Sequence, residues 1–287
     1  MKTLLPALAF VLFGFSAHSQ APAAPPSIMR STDHGKTWTA FHNGLPERAS
    51  AGALLDDGGD LLLGLDYGGF YVLPEGSGTW EKRSKGLPEK VDINSIAARE
   101  DLLVIGTYHG RIFTSTNRGR NWKPSVFAMM GGSVRALQFH GDRLIAGTDN
   151  GIYRSADGGR TWRQTGDMVQ VNGLAEFDGK LYAARRDGIV VSEDDGVSWK
   201  IVYSDTGVTR LMTSDGKLYA TTFGQKIIRT TKGTFWQRPL MAIPGSRFND
   251  LPAALWGGYK PEGPGGKSAR SITETSVGWL LAVADGC

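Results

Sequence analysis

From about residue 27 the chain runs in short apolar–polar alternations, each closed by a cluster of Gly, Asn or Asp. Residues 134–165 show the pattern best. Residues 134–139 alternate, and His140-Gly141-Asp142 turns. Residues 143–148 form a second run, closed by Asp149-Asn150-Gly151. A third covers 151–155, Asp157-Gly158-Gly159 turns again, and 161–164 opens a fourth. Alternation with period two places successive side chains on opposite faces, as in a strand, and the turn residues join such strands as hairpins. The same frame fits 102–122, 181–199 and 218–236. The predicted unit is therefore an antiparallel sheet of four strands.

The turn before the fourth strand carries a phrase, Ser-x-Asp-x-Gly-x-Thr-Trp. It is intact from Ser31 through Asp33 and Gly35 to Trp38, and from Ser155 through Asp157 and Gly159 to Trp162. Looser copies hold Ser115, Asn117, Gly119 and Trp122, and Ser192, Asp194, Gly196 and Trp199. Two worn copies end at Trp80 and Trp236. The tryptophans at 38, 80, 122, 162, 199 and 236 are thus 42, 42, 40, 37 and 37 residues apart. A step near forty is the size of a four-stranded propeller blade. Asp can accept hydrogen bonds from its own turn, Gly supplies positive φ, and Trp brings a large apolar area to a gap between sheets. These residues read as turn-holders and wedges. A calcium loop would need denser acidic spacing and a distant Glu.

The first phrase comes early: only residues 27–30 precede it, enough for a third strand. At the other end, 271–275 and 278–283 match the first two strands of a unit. Both termini are therefore expected to share one blade, which pairs the chain ends and removes exposed edges. One shared blade and five continuous ones make six. Residues 239–270, with five prolines and two Gly-Gly pairs, do not fit the frame and read as an irregular insertion; a degenerate seventh blade is the alternative. The expectation is one all-β propeller domain over 27–287.

Composition adds a compartment. Lys2 is followed by an apolar run over 4–15, then small residues at 17–19. This is the pattern of a secretory signal peptide over 1–20, and the run is shorter than the ~20 residues of a membrane span. Residues 21–26, Ala-Pro-Ala-Ala-Pro-Pro, read as a stiff linker. The expectation is a secreted or periplasmic protein with no span after cleavage. Cys287 is the single cysteine, so no internal disulfide is available. The five histidines lack metal-ligand spacing, and neither a metal nor a cofactor is expected. The net charge is +4 with no block of like charge, which argues against nucleic acid. Arg118-Gly119-Arg120 reads as a solvated turn.

The repeated phrase resembles the Asp-box, or bacterial neuraminidase repeat, of sialidases, sortilin-type receptors, some endoglucanases and photosystem II stability/assembly-factor-like proteins. The resemblance covers nearly the whole mature chain. It implies a β-propeller of the sialidase superfamily whose boxes lie on peripheral turns, away from the binding face. It does not decide activity, because those families differ in function. Sialidases place an arginine in a Phe/Tyr-Arg-Ile-Pro phrase before the first box. Here Ile28-Met29-Arg30 leads directly into the box, and no nucleophilic pair is apparent. Two readings stay open: a non-catalytic binding, scaffold or assembly propeller, and a sialidase-like glycoside hydrolase or glycan-binding protein.

The binding face that the resemblance implies is fed by two sets of residues. The loops between second and third strands carry Asp66-Tyr67, Tyr108-His109, Asp149-Asn150, Arg185-Arg186-Asp187 and Phe223-Gly224-Gln225. Counting twelve residues back from the end of each second strand lands on Gly52, Asn94, Arg135, Asn172, Arg210 and Ser271, a polar ring around the channel. The ligand-binding candidates are Asn94, Tyr108, His109, Arg135, Asn172, Arg185, Arg186 and Arg210. Several guanidinium groups converging there would favour an anion, since arginine holds carboxylate or phosphate by paired hydrogen bonds. The competing reading is that these residues only hydrate the channel or pair with Asp and Glu. The partner is expected to be a protein or an anionic or glycan ligand.

Overall fold

The computed structural model describes residues 28–34, 36–47, 49–126, 132–205, 207–214, 216–222, 227–233, 235–236, 262–263 and 267–284. The signal and linker readings, Gly35, Phe223-Gly224-Gln225, Cys287 and most of the 239–270 insertion lie outside the described residues. Six antiparallel sheets follow one another along the chain as the blades of a propeller.

Blade I comprises β3 (Ala51–Asp56), β4 (Leu61–Leu65), β5 (Gly69–Leu73) and β6 (Glu81–Lys82). Blade II comprises β7 (Ile93–Arg99), β8 (Leu102–Thr107), β9 (Ile112–Ser115) and β10 (Lys123–Pro124). Blade III comprises β11 (Val134–His140), β12 (Arg143–Thr148), β13 (Gly151–Ser155) and β14 (Arg163–Thr165). Blade IV comprises β15 (Val171–Phe177), β16 (Lys180–Arg185), β17 (Gly188–Ser192) and β18 (Lys200–Ser204). Blade V shows β19 (Val208–Ser214), β20 (Lys217–Thr222) and β21 (Ile227–Thr230) among the described residues.

Blade VI joins the two ends of the chain. Its order is β2 (Thr39–Ala40), β1 (Ile28–Ser31), β24 (Gly278–Ala284), β23 (Lys267–Thr275) and β22 (Glu262–Gly263). Ile28 to Ser31 pair with Ala282 to Trp279, so the N-terminal strand is the third of this blade. The expected sharing holds, with one change. The first strand begins at Lys267 rather than 271, and β22 adds a fifth strand inside it.

The core lies between blades. The second strands carry it, because a sheet sandwiched between two others is apolar on both faces. All five residues of β4 are buried, as are Leu103, Val104 and Ile105 of β8. Trp122 belongs to blade II yet packs edge-on against Phe70 of blade I, ring centroids 4.9 Å apart. Its indole N–H donates to the Arg83 carbonyl at 2.8 Å. Trp80 does the same to Phe41 at 3.1 Å. Each tryptophan is a wedge into the preceding blade.

The boxes act as turn-holders. In blade III the Asp157 carboxylate accepts from the Ser155 hydroxyl at 2.8 Å, the Thr161 N–H at 2.9 Å and the Thr161 hydroxyl at 2.6 Å. Blade IV repeats this with Ser192, Asp194 and Ser198. In blade II Asn117 accepts the equivalent bonds from Ser115 and the Asn121 N–H, both at 2.9 Å. An amide can therefore do the carboxylate's work.

Arg118 departs from its sequence reading. Its guanidinium crosses to blade I and pairs with Asp57 at 2.5 Å and Asp60 at 3.0 Å. Burial disfavours its charge, but the hydrogen bonds to Asp57 and Asp60 outweigh that and its pKa rises. Arg118 is an inter-blade tie, not a solvated turn. The reason is that Asp57 and Asp60, on the turn between β3 and β4 of blade I, lie within reach of its guanidinium.

Candidate functional site on the channel face

The face opposite the boxes is built from the loops between second and third strands and from the connections that enter each innermost strand. One backbone bond recurs there. Asp66 N–H donates to the Ser50 carbonyl at 2.8 Å, and Tyr108 N–H to that of Asp92 at 3.1 Å. Asp149 N–H donates to Ser133 at 3.1 Å, and Arg186 N–H to Gln170 at 3.0 Å. Each loop is thus pinned to the residue just before its own blade's innermost strand. The side chains presented there rest on fixed backbone.

Among the four described loops, two are longer. Blades III and IV close theirs with two residues between Thr148 and Gly151, and between Arg185 and Gly188. Blade I has three between Leu65 and Gly69. Blade II likewise bonds Thr107 N–H to the Arg111 carbonyl at 3.0 Å across three residues. The longer loops lift Tyr67 and Tyr108 into solvent, 65% and 58% exposed. Tyr67 sits at a φ of 56°. Left-handed backbone is unusual for an aromatic residue and needs external support. Asp92 supplies it: the carboxylate, almost fully buried, accepts the Tyr67 N–H at 3.0 Å. Its other oxygen lies 3.5 Å from His109 Nε2. The His109 and Tyr108 rings stand edge-to-face at 5.4 Å. Tyr67, Tyr108, His109 and Asp92 thus form one cluster across blades I and II.

The arginines are arranged otherwise. Arg185 is buried, and Asp187 clamps it through two hydrogen bonds of 2.8 and 2.6 Å, with Asp167 at 3.6 Å. Hydrogen bonding to Arg185 holds the Asp187 carboxyl below the usual range, and that to Asp187 raises the Arg185 pKa. Arg135 pairs with Asp149, whose other oxygen accepts the Ser133 N–H at 2.7 Å. The Arg185 guanidinium is thus buried behind carboxylates, whereas Arg135 is exposed and paired through its Nε. Of the two readings of the ring, Arg135 and Arg185 follow the one in which they pair with Asp: each meets a carboxylate of the adjoining loop. Arg186 remains exposed.

The asparagines are staples between blades. Asn94 donates to the Ser133 hydroxyl at 2.7 Å, joining blade II to blade III. Asn172 donates to the Val208 carbonyl at 2.7 Å, joining blade IV to blade V.

The ring itself is a ring of β-bulges. The register slips at Gly52, Asn94, Arg135 and Asn172, each the extra residue between two paired positions. In blades V and VI the slip falls at 209 and 270, one residue before the counted Arg210 and Ser271. Arg210 therefore pairs with Thr221 and is not the equivalent of Arg135. The residues from which the count starts there, Thr222 and Val283, pair with Val208 and Ala269 just before the bulge, whereas Gly64, Gly106, Gly147 and Ala184 pair just after it. Arg210 is exposed, and desolvation by the protein atoms around it lowers its pKa.

Asp92 was not among the sequence candidates, and Tyr67 was named only with its loop and not among the ligand-binding residues. The signal for Asp92 is its slot: it stands where Ser50, Ser133 and Gln170 stand in other blades, just ahead of the innermost strand. Among the described residues, no group of three or more His, Cys, Asp or Glu is placed to hold a metal.

No protein-family model matches the chain, and no curated protein sequence does. Solved structures do match. YCF48 bound to D1 peptide is 20% identical over 66% of this chain and 66% of its own, with a TM-score of 0.53. The extracellular domain of BT4673 from B. thetaiotaomicron is 14% identical over 88% of this chain and 35% of its own, with a TM-score of 0.62. The GH74 xyloglucanase from Xanthomonas campestris is 21% identical over 72% of this chain and 40% of its own, with a TM-score of 0.53. The chain spans roughly a third to two thirds of the length of these structures. At such identity the likeness is one of fold, and it agrees with an all-β propeller.

Proposed function

We propose that this Asp-box β-propeller is an exported binding or assembly protein, without catalysis of its own, that receives a polypeptide partner on its channel face. The observation that carries the reading is the Tyr67–Tyr108–His109 cluster. Two exposed tyrosines on neighbouring blades, held on pinned loops, give contact area at small entropic cost, as recognition surfaces do. The carboxylates nearby have structural duties: Asp92 holds Tyr67, Asp149 holds Arg135, and Asp187 holds Arg185. YCF48, which shares the fold, is solved with a peptide of D1. Export rests on the signal pattern of residues 1–20.

A photo-reactive amino acid at position 108, on the channel face, tests the reading in the native cell against the same probe at position 142, on the box face. A discrete crosslinked polypeptide from 108 and none from 142 is expected. Fluorophore release from a panel of sialosides and other glycosides by the purified protein, abolished by Asp92→Ala or Asp149→Ala, would replace it with the hydrolase reading. N-terminal sequencing of the extracytoplasmic protein should begin just after residues 19–20; an intact Met1 on cytoplasmic protein would remove the export claim.

A further inference from the structure

Outside the channel mouth, on the shoulder between blades I and II, the surface holds two adjoining hollows of about 400 and 490 Å³. They share a rib made of Leu87 and Pro88. Lys82 and Lys85 line one hollow and Arg111 the other. Gly68 and Gly69, next to Tyr67, floor the first, while Arg111 closes the loop that bears Tyr108 and His109. The hollows therefore continue outward from the aromatic cluster.

From this arrangement we infer that the shoulder binds an extended acidic polypeptide segment. The inference rests on the proposed reading of the channel face and names the chemistry of the partner. Charge is the first argument. Lys82, Lys85 and Arg111 are all exposed, and none is within ion-pair distance of a carboxylate among the described residues. Their neighbour Arg83 is different, being held by Glu81 at 2.8 Å. Among the described residues, Glu89 is the one carboxylate lining either hollow. Shape is the second argument. An extended strand advances about 3.3 Å per residue with side chains alternating in direction. Such a chain seats an apolar side chain on the Leu87–Pro88 rib and turns carboxylates to the cations on either side. Attraction between exposed charges is screened over about 8 Å at physiological salt, so binding here must weaken as salt rises.

The test uses the mature protein and a fluorescein-labelled twelve-residue peptide of alternating Glu and Ala, followed by anisotropy. Saturable binding that weakens with added salt is expected. The triple change Lys82→Glu, Lys85→Glu, Arg111→Glu should raise Kd at least tenfold. An equal charge change at Arg120, Arg160 and Arg163, on the box side, should move it less than twofold. Melting midpoints establish that each variant is folded, and Lys82→Ala with Arg111→Ala serves if the triple variant is not. Equal loss in both sets would reduce the effect to net charge and overturn the site. Binding of polygalacturonate in place of the peptide would make the occupant a polysaccharide and overturn the inference as stated. A partner crosslinked from position 108, with no acidic-peptide binding, would sink this inference alone and leave the channel-face reading standing.

Discussion

The carboxylate of Asp92, buried at the entrance to blade II, accepts the backbone N–H of Tyr67 in blade I at 3.0 Å. A loop on one blade is thereby held by the next, in a backbone conformation it would not keep alone. Asp92→Ala leaves that N–H without its acceptor, and the expected cost is about 1–3 kcal/mol. Asp92→Asn keeps an acceptor oxygen and should recover most of it. Urea unfolding of the three proteins checks the ordering; an alanine variant as stable as wild type would remove Asp92 from this role.

The boxes predict a pH dependence. Hydrogen bonds from the Ser198 hydroxyl and N–H, with one from Ser192, hold the Asp194 carboxyl down to about 2. For Asp157, burial opposes ionisation, but the bonds from Thr161 prevail and its pKa is also lowered. A carboxyl depressed in the folded state stabilises the fold above its unfolded value near 3.9, and that contribution is lost as pH falls through the folded value. Both groups are exposed, so solvent screening keeps the effect small. Asn117 shows that an amide makes the same turn. Asp157→Asn with Asp194→Asn should thus change the melting temperature little at pH 7 and flatten its fall between pH 4 and 2. An unchanged acid limb would count against the boxes as the titrating groups.

Gly86 should resist substitution for a reason beyond its φ of 94°. It lies in a Gly-Leu-Pro turn after the outer strand of blade I, and the neighbouring Lys85 carbonyl accepts the Trp122 N–H at 2.8 Å. A Cβ on Gly86 would stand 2.3 Å from the Trp122 carbonyl oxygen. Gly44 repeats the arrangement against Trp80. Gly58, at a φ of 86°, has nothing within 4 Å of an added Cβ. Gly58→Ala should cost only the backbone strain, about 1–3 kcal/mol, and Gly86→Ala clearly more. Equal losses in denaturant melts would mean that the turn yields.

The tryptophans are graded by burial. Trp122 is 4% exposed and carries both the Phe70 contact and the bond to Arg83, so Trp122→Ala should cost about 3–5 kcal/mol. Trp162 is only half-buried and should cost less. Melts giving the reverse order would contradict the wedge account.

The alternation of residues 134–155, the Gly and Asn turns and the tryptophan spacing were enough to predict four-stranded blades, their number and the shared closing blade. Such features are local. Period-two patterning, turn chemistry and a repeat step are written in neighbouring residues and need no knowledge of what faces them. The box carboxylates were legible for the same reason, since Asp157 bonds within its own turn. What only the tertiary structure decided lies between blades. The sequence left open whether Arg135 and Arg185 make an anion site or pair with Asp and Glu, and each turns to a carboxylate that loop geometry brings beside it. Arg210 left the ring because the end of the second strand, from which the count runs, is set by pairing with a neighbouring strand and falls one residue away from where the blade V sequence suggested. Asp92 gained its part from Tyr67, 25 residues away on another blade. Contacts of that kind depend on how rigid sheets dock, and docking is fixed by packing across the whole ring.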